Sequence, residues 1–397
     1  MTGATFVFLM ALSGRVPAGF EVRTLGGEPA VGEVQSVATD GSLTLADGKK
    51  FAVDDWYSLR RTAGVRPPWP RGPHAELTNG DRIVGAVADA DGDALRLRFS
   101  LAGVPDQTIR FPLSSLRAVW LTNRPADDPD PEWLNVARKR DVILSRNRDV
   151  ATGALMAIDP ARNAVRYQSD GKDQQLEWTR VAAVGFNTDL ARVRRPKGPF
   201  YRLTLADGTR LSVTSVAFDG RTWTAVTPFK DTVRIPHDQL VSVDVEQGKV
   251  TFLADLKPTR YQYQPFDGEE YAWIADRCVT GRAITLKTTA GESTFDRGVG
   301  LHAECTVTYA LGGKYRRFEA LAGLDARSGI RGDAVLAVSV DGKEQDLPGH
   351  GRLTNANDPI AVRVDVTGAK ELTIAVRRGA GGNVQDHVNL AEARLVP

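Results

Sequence analysis

The chain of 397 residues is poor in sulfur, with 2 Cys and 3 Met. Two cysteines, Cys278 and Cys305, cannot make a zinc cluster or a disulfide framework. They either form one bridge, which would fit an oxidising compartment, or stay as two small buried apolar side chains. No Lys/Arg block stands out: 51 Lys and Arg stand against 49 Asp and Glu, and the two signs are interspersed along the chain. The basic block that would hold nucleic-acid phosphates or an anionic membrane surface is therefore missing, and no nucleic-acid partner is expected. Long apolar runs are also scarce. Residues 4–12 form the longest, too short to cross a bilayer as a helix. With Val16-Pro17-Ala18 behind it, this run reads as a signal segment over residues 1–18 or, because no positive charge precedes it, as a buried first strand.

Helical periodicity is hard to find, whereas 38 Gly and 21 Pro punctuate short alternating runs. That combination favours strands joined by tight turns. Before Tyr271 the runs fall into four related units, at 19–62, 74–122, 141–188 and 199–247. Each begins with a strand that ends in a turn dipeptide or its like, as in Asn79-Gly80 and Asp207-Gly208, which supply the positive φ of a hairpin. Further short strands follow, and each unit closes on a polar and an aliphatic residue: Ser58-Leu59, Ser115-Leu116, Gln239-Leu240. Four or five strands in so few residues predict a small bent sheet or SH3/Sm-like barrel that packs against its neighbours, since one unit buries little apolar area. Arg66-Pro-Pro-Trp-Pro-Arg-Gly-Pro73 predicts a stiff extended spacer between the first two units. The aspartates of these units sit in Asp-Gly turns, where they cap backbone, and no paired carboxylates, nucleophile motif or metal-ligand spacing stands out.

From Tyr271 the texture changes. Cys305–Tyr309, Val335–Val340 and Ala361–Val376 are alternating strands bounded by turns such as Asp341-Gly342 and Thr367-Gly368. About eight such strands predict a two-sheet jelly roll over 267–397. Gly298-Val-Gly-Leu-His-Ala303, Tyr309-Ala-Leu-Gly-Gly-Lys-Tyr-Arg-Arg-Phe318, Gly323-Leu-Asp325, Val340-Asp-Gly342, Val364-Asp-Val-Thr-Gly-Ala369 and Asp386-His387 occur in order. Through them the module resembles the NPCBM family of carbohydrate-binding modules found beside glycoside hydrolases. The resemblance implies a galactose-binding-like jelly roll and sugar binding. Repeats ahead of such a module are also similar to envelope proteins of planctomycete-type bacteria. One stretch departs: the family's closing Asp-His-Ala-Asp-Trp-Ala-Asp stands here as Asp386-His-Val-Asn-Leu-Ala-Glu392. If the missing aromatic stacks on a sugar, binding is changed; if it is core, Leu390 is a smaller filler.

A sugar site needs an aromatic or apolar platform and polar groups fixed to read hydroxyls. The candidates are His302 after a glycine-rich turn, Asp386 and His387 after a glycine-rich loop, and Trp273, Asp276 and Arg277 at the module's start, with Tyr271 as a further stacking group. No cofactor is required. A Ca²⁺ ion could use oxygens of Asp276, Asp325, Asp386 or Glu392, although its backbone ligands cannot be read from sequence. The expected function is non-catalytic glycan or polysaccharide binding in the cell envelope, outside the cytoplasm, with the repeats as scaffold. The alternative is a structural protein whose jelly roll has lost sugar affinity and which meets other envelope proteins.

Overall fold

The computed structural model describes residues 19–91, 96–102, 104, 107–124, 130–193, 195–265 and 268–397. The apolar run at 4–12, with its signal-or-strand question, lies outside the described residues. The described residues are almost entirely strand and turn.

The turn dipeptides do what their chemistry requires. Gly80 and Gly208 have φ near 92° and 93°. Their partners Asn79 and Asp207 accept the backbone N–H two residues on, at 3.0 and 2.9 Å. Each hairpin is the start of a small closed unit. In every unit the last strand returns to pair antiparallel with the first: Trp56–Arg61 on Phe20–Thr24, Leu116–Trp120 on His74–Leu77, Val181–Gly185 on Asp141–Ser145 and Leu240–Glu246 on Phe200–Leu205. In the last three, a 3₁₀ turn (Leu113–Ser115, Trp178–Arg180, His237–Gln239) swings the chain into the closing strand.

The units are fused rather than strung out. The closing strand of the first pairs with that of the fourth, Leu59 opposite Val243, and the closing strand of the second with that of the third, Val119 opposite Val184. Fusion covers edges that would otherwise be exposed and lets four small interiors share one core. Phe20, Leu59, Phe99, Ile143, Leu203 and Trp223 all belong to it. The result is a continuous sheet with the units in spatial order third, second, fourth, first.

The C-terminal module is a β-sandwich of two antiparallel sheets. One contains Ile274–Ala275, Gly298–His302, His387–Val396, Arg317–Leu324 and Ile360–Asp365; the other contains Arg260–Tyr263, Cys305–Ala310, Glu371–Arg378 and Asp333–Val340. Alternation sets the inward face: Leu372, Ile374 and Val376 are fully buried against Val388, Leu390 and Leu395. The sandwich begins earlier than residue 267. Thr251–Phe252 pairs with the final strand, and Arg260–Tyr263 pairs with Cys305–Ala310.

The outer face of the first sheet is pressed against the repeats. Arg66 of the Pro-rich segment, its side chain 6% exposed, lies 3.0 Å from Asp244 of the fourth unit and 2.8 Å from Glu392 of the final strand. Arg60 also pairs with Glu392, Arg210 meets Asp296 at 3.0 Å, and Tyr57 donates to Glu319 at 2.6 Å. The Pro-rich segment is thus more than a spacer: it fills the joint between scaffold and sandwich.

Candidate functional site

The sequence candidates divide between two places. The strand Ile274–Ala275 pairs with Gly298–His302, Ile274 opposite Gly300 and Ala275 opposite Val299. Trp273 therefore lies toward the His302 end of the pair, and Asp276 and Arg277 toward the other.

At the His302 end, the next strand brings His387 opposite His302 in register. The His302 ring is stacked on Tyr271, centroids 4.1 Å apart and planes within 7°. His387 tilts against it at 5.3 Å, and Tyr263 meets it edge-on at 6.1 Å. His302 Nδ1 is 2.5 Å from the carbonyl of Ala303, so that nitrogen carries the proton. Tyr271 is held in place by Tyr261, which donates to its carbonyl at 2.6 Å. His302 is 3% exposed, whereas Tyr271, Trp273 and His387 are half-buried. Burial lowers the His387 pKa, although Asp325 opposes this.

Asp386 differs from the expectation of a ligand-facing acid, since it is fully buried. One carboxylate oxygen accepts the N–H of Asp333 at 2.8 Å, and the other has no hydrogen-bond partner among the described residues. Burial pushes its pKa up to about 6. It fastens the loop before the last strand to the strand Asp333–Val340. The half-buried rings at this end are Tyr271 and His387, both set against His302, whereas Trp273 packs on the sandwich core. Tyr263 meets His302 from the other sheet, as the last residue of the strand Arg260–Tyr263.

Asp276 and Arg277 lie apart from the rings, on the side of the sandwich that meets the repeats. Asp276 pairs with Arg297 at 2.6 Å and accepts the N–H of Gly298 at 3.1 Å. Arg277 lies over the ring of Trp69 in the Pro-rich segment, 4.3 Å from its centroid. Both line a cleft of about 840 Å³ between scaffold and sandwich.

Of the two readings of Cys278 and Cys305, the structure has two separate, buried free thiols. Cys278 follows the Ile274–Ala275 strand of one sheet, and Cys305 starts a strand of the other. Burial pushes the Cys305 thiol up to about 12. For Ca²⁺, the four acids are already engaged. Asp276 holds Arg297, Asp325 accepts from Asn389 at 2.7 Å, Asp386 holds the Asp333 N–H, and Glu392 sits among arginines. No cluster of three His, Cys, Asp or Glu side chains with metal-binding geometry occurs among the described residues.

The departure at Asn389, Leu390 and Glu392 now has a physical account. Leu390 is 1% exposed in the sandwich core, Asn389 bonds to Asp325, and Glu392 belongs to the joint with the repeats. An aromatic at 390 would fill core rather than offer a sugar-stacking face.

No curated protein matches the chain. Among solved structures, it is similar to a CBM51 module from the Clostridium perfringens GH95 protein, solved in complex with methyl-galactose. That likeness has 24% identity over 37% of this chain and 99% of that one, at a TM-score of 0.33. It is also similar to tandem CBM51 modules of a Streptococcus pneumoniae family 98 glycoside hydrolase, with 13% identity, coverage of 92% and 93%, and a TM-score of 0.34. A third is the structure of CBM51-2, in complex with GlcNAc, and INT domains from Clostridium perfringens ZmpB, with 22% identity and a TM-score of 0.33; the likeness covers 49% of this chain and 43% of that structure, less than half its length. Residues 249–396 match the NPCBM/NEW2 domain, from just ahead of the first strand of the sandwich through its last, and the C-terminal module is of that family.

Proposed function

We propose that the protein binds a glycan without transforming it, through the ring set at the His302 end of the sandwich, and that the four fused β units are the rigid base holding that module in the cell envelope. The observation that carries this reading is the match of residues 249–396 to the NPCBM/NEW2 domain. The half-buried rings of Tyr271 and His387 supply what sugar recognition asks for: an apolar face for C–H surfaces, with the imidazole as a hydrogen-bonding partner for hydroxyls. Stacking on His302 fixes the Tyr271 ring in advance, so little rotamer freedom is lost on binding. The non-catalytic reading rests on residue types: glycoside cleavage asks for two opposed carboxylates, and of the acids at this end Glu269 accepts from the Tyr271 hydroxyl at 2.5 Å while Asp386 is buried and engaged. The placement in the envelope rests on the signal reading of residues 1–18.

The test is a glycan array probed with the full chain and with folded Tyr271→Ala and His387→Ala variants. Binding by the wild type that falls about tenfold in either variant supports the reading. A blank array, or variants that bind as well as the wild type, favours a structural envelope protein instead.

A further inference from the structure

The cleft between scaffold and sandwich is cationic to a degree that its own ion pairs do not balance. Arg82, Arg117, Arg195, Arg202, Arg277 and Arg297 line it. The carboxylates on its walls are already committed. Asp255 and Asp276 pair with Arg297, Glu246 lies 3.9 Å from the same guanidinium, and Asp296 belongs to Arg210 and accepts from Trp69 at 2.7 Å. Arg117 reaches Glu76 at 3.4 Å. Arg82 and Arg277 have no carboxylate within ion-pair distance among the described residues. Each donates only to a backbone carbonyl, Arg82 to Gly80 at 3.4 Å and Arg277 to Asp276 at 3.3 Å.

These two guanidinia come from opposite sides of the cleft and converge on one residue. Arg82 begins the second strand of the second β unit, and Arg277 follows the first short strand of the sandwich sheet. Both lie over the ring of Trp69, at 3.8 and 4.3 Å from its centroid, and the Trp69 indole N–H is tied down by Asp296. Stacking orients a guanidinium while leaving its edge donors free for another partner. The Arg277 guanidinium feels the crowding: burial, then the like charges of Arg82 and Arg117, lower its pKa to about 10. Among the other lining residues, the Nε–H groups of Arg202 and Arg297 are buried without an acceptor. Two half-buried cations with no carboxylate in ion-pair contact and two unsatisfied donors around one cavity are what an oxyanion would complete.

We propose that this cleft is a second ligand site, in which Arg82 and Arg277 hold the carboxylate or sulfate groups of an acidic polysaccharide. The volume of about 840 Å³ accommodates a short saccharide segment rather than a lone ion. The sugar part of the proposal rests on the glycan-binding reading above; the anion part rests on the cleft alone. The site lies at the opposite end of the Ile274–Ala275 and Gly298–His302 strand pair from the Tyr271 rings, so one glycan chain or two separate ones could engage both.

The test is calorimetric titration of the full chain with three probes: an oligogalacturonate for carboxylate, a sulfated dextran for sulfate, and neutral dextran as control. The wild type is expected to bind at least one acidic probe and not the neutral one. Affinity should fall as salt is raised from about 50 to about 300 mM. Arg82→Gln and Arg277→Gln should each weaken binding about tenfold or more, with Arg377→Gln, on the far sheet, unchanged. Should either variant misfold, Arg277→Lys keeps the charge but loses the planar fork and should still weaken binding. Failure of both acidic probes to bind, salt-independent affinity, or full affinity in the folded Arg82 and Arg277 variants would each overturn the proposal. Tyr271→Ala separates the two readings: it should leave acidic-probe binding in the cleft intact while removing array binding at the rings.

Discussion

Arg66→Ala should destabilise the whole chain, because this one guanidinium stands where scaffold and sandwich meet. Its side chain is 6% exposed, 2.8 Å from Glu392, 3.0 Å from Asp244 and 3.7 Å from Asp296. Removing one member of a buried ion network leaves the others desolvated and uncompensated, typically at about 3–5 kcal/mol. The carboxylates here are not left bare. Glu392 keeps Arg60 and Arg394, Asp296 keeps Arg210, and Asp244 keeps the hydroxyls of Ser58 and Ser242. The loss should therefore fall at the lower end, about 3 kcal/mol, which is a large share of the ~5–15 kcal/mol by which native domains are stable. Equilibrium urea unfolding measures it, with Arg377→Ala as reference. That residue's pair with Glu344 is about half exposed and should contribute no more than about 1 kcal/mol. If Arg66→Ala unfolds at the same urea concentration as Arg377→Ala, the joint is not formed in solution, and the repeats and the sandwich are independent bodies.

Three further outcomes follow from the same physics. Leu390→Trp, which restores the aromatic seen in the resembling family, should lower stability by about 1–3 kcal/mol through overpacking; a stabilised or unchanged variant in thermal unfolding would place residue 390 outside the core. Asp386 has its folded pKa raised by burial to about 6, so the folded state keeps a proton that the unfolded state has lost. Its contribution to stability is therefore present at low pH and is lost as pH rises from about 4 through 6. Urea titrations across this range should show that Asp386→Asn removes that fall, and a variant with the wild-type profile would refute the assignment. Cys278 and Cys305 are buried thiols with raised pKa values, so a thiol reagent at pH 8 should label neither in the native protein and both after unfolding.

The all-β class and the turns were readable because their signals are local. Asn79-Gly80 and Asp207-Gly208 dictate a positive φ wherever they stand, and the alternation of Leu372, Ile374 and Val376 marks an inward face without reference to any partner. What stayed hidden is what depends on distant partners. Nothing near Leu59 says that Val243 will lie opposite it, since strand edges pair with whichever compatible edge the fold brings near. Asp276 and Arg277 were legible as polar residues beside a strand, but not as residues facing Trp69 and Arg297, because a surface that a second body covers has no signature of its own in the pattern. His302 and His387 were readable as a candidate pair through their motifs, yet the stacking of Tyr271 on His302 is a tertiary fact. Asp386 was misjudged for the same reason: an acid after a glycine-rich loop has the same sequence appearance whether it meets a ligand or, as here, the backbone of Asp333.

The central claim is that the rings at the His302 end of the sandwich hold a sugar. Calorimetric titration of the full chain with its strongest array glycan tests this most directly. One binding event per chain is expected, weakened about tenfold in Tyr271→Ala while circular dichroism and thermal unfolding show the fold retained. An unchanged affinity in that folded variant would contradict the claim.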